Sequence, residues 1–224
     1  MLFPRNQLLA LPCIALAALL VACSPPPPVQ IGFIGGLTDR NSDNGQSGLN
    51  GVTLAIEQFN RDGGLDGHMV ELVVRDDAQN RETAAQSAKS LVDARVDAVI
   101  GPFTSGMAEV IVPITGKAGI FQVSPTITSM AFYGKDDNLF RINRTTRDNA
   151  RDYAKVMVER GQKRIAVAYD VRNRNFTESW LREFQEAVAS RGAAVVAPVP
   201  YESSSDADFA KVVRGMLDKQ PDSL

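Results

Sequence analysis

The sequence predicts an α/β protein of two successive lobes, each a parallel sheet with helices on both faces. Three observations carry this prediction. Apolar runs of strand length alternate with longer stretches whose apolar residues recur at helical spacing. Such alternation requires crossover connections, hence right-handed βαβ units and sheets covered on both sides. The alternation breaks once, in the polar stretch Gly134 to Arg147, and then resumes. The 224 residues are 44% hydrophobic and 22% charged, and 24 basic against 26 acidic side chains leave a formal net charge of −2. That balance gives no basic footprint for nucleic acid.

The elements follow in order. Val29 to Gly36 is an apolar run ending in glycines, a buried strand by length. Val52, Ala55, Ile56 and Phe59 mark one helix face, which Arg61-Asp62-Gly63-Gly64 ends. Val70 to Arg75 is a strand ending in Asp76-Asp77, and Ala84, Ala88, Leu91 and Val92 stripe the next helix. Asp97 to Gly101 is a third strand. Met107, Val110, Ile111 and Ile114 mark a third helix, where Pro113 predicts a kink. Ile120 to Val123 is a fourth strand, and Leu139 to Ile142 a short extended piece within the break. In the second series Ala150, Tyr153, Ala154, Met157 and Val158 form a helix face, and Arg164 to Tyr169 a strand. Trp180, Leu181, Phe184, Ala187 and Val188 form the next helix, and Ala194 to Val199 the next strand. Ser205-x-x-Asp208 reads as a capping box before a helix carrying Phe209, Val212, Val213, Met216 and Leu217. The lobes are expected over residues 29–140 and 145–224, with the hinge crossings near Arg141 to Thr145.

Residues 1–22 read as an export signal. Arg5 gives a basic start, and the apolar run Leu8 to Val21 is shorter than the roughly 20 residues of a membrane span. It ends in Leu20-Val21-Ala22-Cys23, which resembles the lipobox of bacterial lipoproteins, with Cys23 as the acylated thiol. The alternative is an ordinary signal with an incidental cysteine. Residues 23–28 would be an acylated cysteine and a stiff proline tether, Pro25 to Pro28. Cys13 lies inside the signal, so the mature protein has no pair for a disulfide. The expected location is the periplasm, lipid-anchored to the membrane, with Ser24 favouring the outer membrane.

Ligands of open parallel sheets bind beyond the carboxyl ends of the strands. Three segments of the first lobe occupy that edge: Leu37 to Gly48, Pro102 to Gly106 and Ser124 to Ser129. The last two are hydroxyl-rich and sit beside glycine or proline. Neutral donors and free helix N–H groups suit a carboxylate. The same hydroxyls also serve as helix caps and turn residues.

These residues carry a family resemblance. I-G-F-I-G-G-L-T, A-I-E-Q-F-N-R-D-G-G-L-D-G, V-R-D-D-A-Q-N, V-D-A-V-I-G-P-F-T-S-G and S-P-T-I-T resemble the amino-acid-binding proteins of ATP-driven importers. The similarity is to the Leu/Ile/Val class with the type I periplasmic binding fold, and runs in order through V-A-Y-D, D-F-A-K-V-V-R and K-Q-P-D. It implies an extracytoplasmic protein that captures an amino acid or similar small carboxylate by hinge closure and delivers it to an ABC permease. It further implies that Ser105 gives a hydroxyl to the ligand carboxylate. Thr128 would add its N–H and hydroxyl, and the Thr126 carbonyl would accept from the ammonium. Phe103 and Thr104 would wall the pocket, and Phe176 would cover the ligand from the second lobe. Asn44 stands where the family often has an aromatic residue, and Asp170 to Asn175 is polar and basic for a cleft rim. That rim is either a solvated loop or a hint of a more polar ligand.

No catalytic constellation is legible, so no enzyme activity, cofactor or metal is expected. His68, the single histidine, sits in a turn without a visible partner, and Gly101 to Gly106 lacks a P-loop lysine. Asp76-Asp77 reads as structural, with Mg²⁺ binding as the alternative. A regulatory lipoprotein of the same fold, such as a peptidoglycan-synthase activator, is the alternative function. The second series shows two internal strands, and the final K-Q-P-D-S-L falls where another belongs. The second lobe is therefore expected to be incomplete and the sequence truncated at its C-terminus. The acid that pairs with a ligand ammonium would then lie outside it.

Overall fold

The computed structural model describes residues 26–38, 42–204 and 206–224. The predicted signal, the Cys23 acylation site and Pro25 lie outside the described residues, as does Ser205.

The first lobe is a five-stranded, all-parallel sheet in the order β2-β1-β3-β4-β5. Its strands are β1 (Val29–Gly35), β2 (Val70–Asp76), β3 (Ala98–Ile100), β4 (Phe121–Ser124) and β5 (Leu139–Arg141). The short piece expected inside the polar break is thus an edge strand, with Gln122 opposite Leu139 and Ser124 opposite Arg141. Its polar flanks disguise it, because an edge strand needs no long apolar run. Three helices cover this sheet: α1 (Asp43–Arg61), α2 (Arg81–Asp93) and α3 (Ser105–Lys117).

Successive residues of β1 point to opposite faces. Ile34 faces α2 and α3, where Ala84, Ala88, Leu91, Val99, Met107 and Ile111 form the main core. Phe33 faces the other way, its ring centroid 5.2 Å from that of Phe103. α1 approaches this second face closely: a Cβ at Gly48 would lie 2.2 Å from the Phe103 ring, and one at Gly45 would lie 2.0 Å from the Gly36 carbonyl oxygen. Only glycine fits there. α1 begins at Asp43, so half of the segment expected as a loop, Leu37 to Gly48, is helix. Its predicted apolar face is incompletely covered, since Ala55 and Phe59 are exposed. Pro113 lies inside α3.

The second lobe has β6 (Arg164–Asp170) and β7 (Ala194–Tyr201), paired in parallel, with α4 (Thr146–Glu159), α5 (Arg174–Ala189) and α6 (Phe209–Leu217). One face of this sheet packs Ile165 with Phe184, Val188, Ala150 and Ala154. The other packs Ala166 and Ala197 under Met216 of α6. Asp208 caps α6, its carboxylate accepting from the Lys211 N–H at 2.9 Å. The Asp222 carboxylate accepts from the N–H groups of Lys163 and Arg164, both at 2.9 Å. Ser223 forms a parallel bridge with Ile165, and its carbonyl accepts from the Ala166 N–H. This isolated bridge lies on the free side of β6, where the further strand is expected.

The backbone passes between the lobes once, between the end of β5 at Arg141 and the start of α4 at Thr146. Thr145 caps α4, accepting from the Asp148 N–H at 3.2 Å and donating its hydroxyl to the Asp148 carboxylate at 2.7 Å.

Candidate functional site

A strand order of 2-1-3-4-5 places a switch point between β1 and β3, where diverging connections leave a crevice. A cavity of about 440 Å³ opens there. Its first-lobe wall consists of Asn44, Gln79 and Thr104, which follow β1, β2 and β3 respectively. The remaining wall belongs to the second lobe: Val167, Ala168, Tyr169 and Asp170 of β6, Arg172 and Asn173 beyond it, Phe176, Thr177 and Trp180 of α5, and Tyr201 of β7.

The first-lobe loops are tied down by their own polar groups. Burial opposes ionisation of Asp76. The Thr38 hydroxyl and the N–H groups of Leu37 and Ala78 offset that burial and hold the carboxyl below its ordinary pKa. Asp77 is fully buried and accepts from the Gln79 N–H at 2.8 Å and side-chain amide at 3.0 Å. These bonds support Ala78 and Gln79 in the left-handed region, at φ 47° and 49°. The Gln79 amide oxygen then accepts from the Thr104 hydroxyl at 3.1 Å. The acidic pair thus shapes the cavity rim. Among the described residues no group of three or more acidic, His or Cys side chains is placed to hold a metal.

The six expected ligand residues separate into three sets. Thr104 and Phe176 line the cavity. Phe103 does not: it is 4% exposed and packed into the core, tilted 38° against Phe33 and covered by the close approach of α1 at Gly48. Ser105, Thr126 and Thr128 lie on the expected edge without lining the cavity. The Thr126 hydroxyl donates to the Phe103 carbonyl at 2.6 Å, and that of neighbouring Ser124 to the Pro102 carbonyl at 2.7 Å. Ser129 accepts from the Ala131 N–H at 3.2 Å. The first two hydroxyls cross-brace two loops and the third closes a turn within its own, which is the turn-residue role. Thr128 differs: its hydroxyl is buried with no hydrogen-bond partner among the described residues.

Sequence reasoning misses most of the second-lobe wall. Trp180 is visible there only as part of a helix face. It packs on the core, stacked 4.6 Å from Phe184, while its remaining surface meets the cavity. Tyr201 lies beyond the strand end expected at Val199. Asp170 is the cavity's acid, and both of its oxygens are engaged: one accepts from the N–H groups of Arg172 and Ser203, the other from the Ser203 hydroxyl. The Arg172 guanidinium donates to the Ser203 carbonyl at 3.2 Å. The polar rim is therefore in large part bonded to itself. His68 also has a partner, its Nδ1 lying 2.7 Å from the Pro27 carbonyl oxygen.

The lobes touch directly beside the cavity. The Gly106 N–H, in the first turn of α3, donates to Oδ1 of Asn173 at 3.0 Å. The Asn175 side-chain amide donates to Glu109 of α3, and the Met130 N–H donates to the Ser179 hydroxyl at 3.3 Å.

Two parallel-sheet lobes joined at a cleft, with a cavity at the carboxyl ends of both sheets, define a bilobal solute-binding class. A model of the family described as periplasmic binding protein matches residues 28–224, and the chain belongs to that family. The Leu/Ile/Val-binding protein of Citrobacter freundii is 26% identical over 196 residues, covering 86% of this chain and 52% of that protein. Leu/Ile/Val-binding protein BraC3 of Rhizobium johnstonii is 32% identical over 101 residues, 45% of this chain and 28% of that protein. Among solved structures, the leucine binding protein LivK of Thermotoga maritima has a TM-score of 0.77 at 24% identity, covering 86% of this chain and 54% of that one. The chain thus spans between about a quarter and about half the length of these relatives.

Proposed function

We propose that the protein is the extracytoplasmic solute-binding component of an ATP-driven importer, capturing an amino acid or related small carboxylate between its two lobes. The single observation that carries this reading is the cavity at the carboxyl edges of both sheets, walled by Asn44, Gln79 and Thr104 on one side and by Tyr169, Phe176 and Trp180 on the other. The partnerless hydroxyl of Thr128 supports a ligand that supplies the missing acceptor or donor. The protein acts by binding rather than catalysis, with residues 142–145 as the hinge and the closed form recognised by an ABC permease. Acylated Cys23 anchors it to the membrane in the periplasm, and the proline tether holds the lobes clear of the bilayer.

The relatives' names point to leucine, isoleucine and valine as first probes. A solute-binding protein of Rhodopseudomonas palustris, with a TM-score of 0.77 at 18% identity, was solved with 3,4-dihydroxybenzoic acid, which adds aromatic acids to the screen. A true ligand at 100 times its dissociation constant stabilises by about 2.7 kcal/mol, which a thermal-shift screen reads directly. Ser105→Ala and Thr128→Ala are each expected to weaken binding in calorimetry without altering first-lobe unfolding. Unchanged affinity in both would remove the carboxylate from this edge.

A further inference from the structure

We propose that the cavity selects an aromatic ring: the side group of the captured carboxylate is a flat aryl group, seated on an aromatic column that α5 carries from the second-lobe core into the cleft. This deepens, and rests on, the reading that the cavity captures a small carboxylate.

The column is built by sequence spacing. Phe176, Trp180 and Phe184 stand four residues apart in α5 (Arg174–Ala189), and side chains at i, i+4 and i+8 share one face of a helix. Phe184, at the far end, is fully buried in the second-lobe core. Trp180, one turn nearer the cavity, stacks on it at 4.6 Å with 18° between the rings. Tyr153 of α4 sits against the indole in a T-shaped contact at 6.0 Å. Phe176 lies in the first turn, and both Phe176 and Trp180 line the cavity. Tyr201, at the end of β7, adds a ring that is held in a T-shaped contact with Phe209 of α6 at 5.9 Å.

Trp180 and Tyr201 are thus fixed by ring partners of their own before a ligand arrives, so little ordering is left for binding to impose. Locked planes suit a flat ligand ring, because offset-stacked and edge-on ring pairs are stronger than their buried area alone accounts for. An aliphatic side group gains the area without that increment. A branched shape is best followed by adaptable side chains such as methionine. Among the described residues no Leu, Ile or Met lines this cavity, and Val167 and Ala168 of β6 are its aliphatic part. The polar rim does not take over the selection. Asp170 engages both oxygens with Arg172 and Ser203, and the Thr104 hydroxyl donates to Gln79 at 3.1 Å. Choice of side group at this wall therefore falls to the rings.

The test is ligand titration of the full-length protein, read by calorimetry and by the fluorescence of Trp180, the single tryptophan of the sequence. The probes are leucine and two matched pairs: phenylalanine against cyclohexylalanine, and benzoate against cyclohexanecarboxylate. Each pair shares a carboxylate and a six-membered apolar ring and differs in aromaticity. The first pair carries an ammonium and the second lacks it, so the tighter pair separates an amino acid from a simple aryl acid. The aromatic member of the tighter pair is expected to bind about fivefold more tightly than its saturated partner and to shift the Trp180 emission. Phe176→Leu and Trp180→Leu, read by calorimetry, each bring that ratio toward one, with a smaller change in affinity for the saturated member. Phe176→Leu keeps the stack of Trp180 on Phe184, so it decides the matter even where Trp180→Leu does not fold. Equal binding within both pairs, leucine binding more tightly than phenylalanine and benzoate, or an unchanged ratio in Phe176→Leu overturns the proposal. Leucine binding without aromatic binding leaves solute capture standing, and no binding by any probe overturns both. Aromatic binding by a protein that no ABC permease engages counts against transport alone.

Discussion

The two lobes use the same architecture to different ends. The first is a five-stranded sheet whose edge loops are bonded largely to themselves: Thr126 to Phe103, Ser124 to Pro102, Asp77 to Gln79. The second is a two-stranded sheet with one isolated bridge at Ser223, yet it supplies most of the cavity wall, including the only tryptophan in the sequence. A rigid lobe that fixes backbone donors faces a slighter lobe that presents aromatic surface. Under the proposed closure, the slighter lobe is the element expected to move, since mobile elements are drawn from the less stable end of a structure.

The largest expected effect breaks the comparison at its cores. Phe184 is fully buried under Trp180, and Phe33 is fully buried against Phe103. Truncating either to alanine removes a whole aromatic ring and costs about 3–5 kcal/mol. The consequences differ. Phe184→Ala is expected to melt the second lobe in a separate, earlier calorimetric transition, seen as an early change in Trp180 fluorescence. Phe33→Ala lowers the first-lobe transition. If Phe184→Ala shifts one undivided transition in both probes, the lobes unfold together and the asymmetry in stability is absent.

Legibility in the sequence follows the same division. Strands and helices with long periodic patterns, such as Val70 to Arg75 and the stripe Trp180 to Val188, correspond closely to β2 and α5. β5 is obscured because three residues at a sheet edge carry no periodic signal. The hydroxyl-rich loops are legible as an edge of the first sheet. Which hydroxyls serve the fold is not, since that depends on partners such as the Phe103 carbonyl, more than 20 residues away in sequence. Phe103 itself looks like a pocket wall until the close approach of Gly48 shows that α1 buries it. The loop after β2 is hidden because left-handed Ala78 and Gln79 are not glycines, and only the bonds from Asp76 and Asp77 make that turn possible.

A smaller effect sharpens the comparison within the first lobe. Thr126 and Thr128 are two residues apart, and the family resemblance sets both against the ligand. Thr126→Val removes the bond to the Phe103 carbonyl and is expected to cost about 1 kcal/mol in denaturant unfolding of the unliganded protein. Thr128→Val replaces a buried hydroxyl that has no partner with a methyl of the same shape, and is expected to be neutral or slightly stabilising. Their order reverses in ligand binding, where Thr128→Val loses affinity and Thr126→Val does not. Equal destabilisation by both variants would show that the Thr128 hydroxyl is bonded in the folded protein.

The smallest effect concerns acid. Burial raises the Asp76 pKa, but the Thr38 hydroxyl and three backbone N–H groups outweigh it, so the folded value lies below the unfolded one. In the second lobe the N–H groups of Lys163 and Arg164 lower Asp222 in the same direction. A depressed folded pKa means the unfolded state binds the proton more tightly. Each carboxylate therefore stabilises its lobe fully above the unfolded value of about 3.9 and loses that contribution as pH falls through the folded value. Asp76→Asn is expected to flatten the acid limb of first-lobe stability below about pH 4 while leaving the Trp180 fluorescence transition unchanged. Asp222→Asn does the reverse, because its bonds hold the Asp222–Ser223 segment against β6. An acid limb that is unchanged in both variants would show that neither carboxylate gains its bonds on folding.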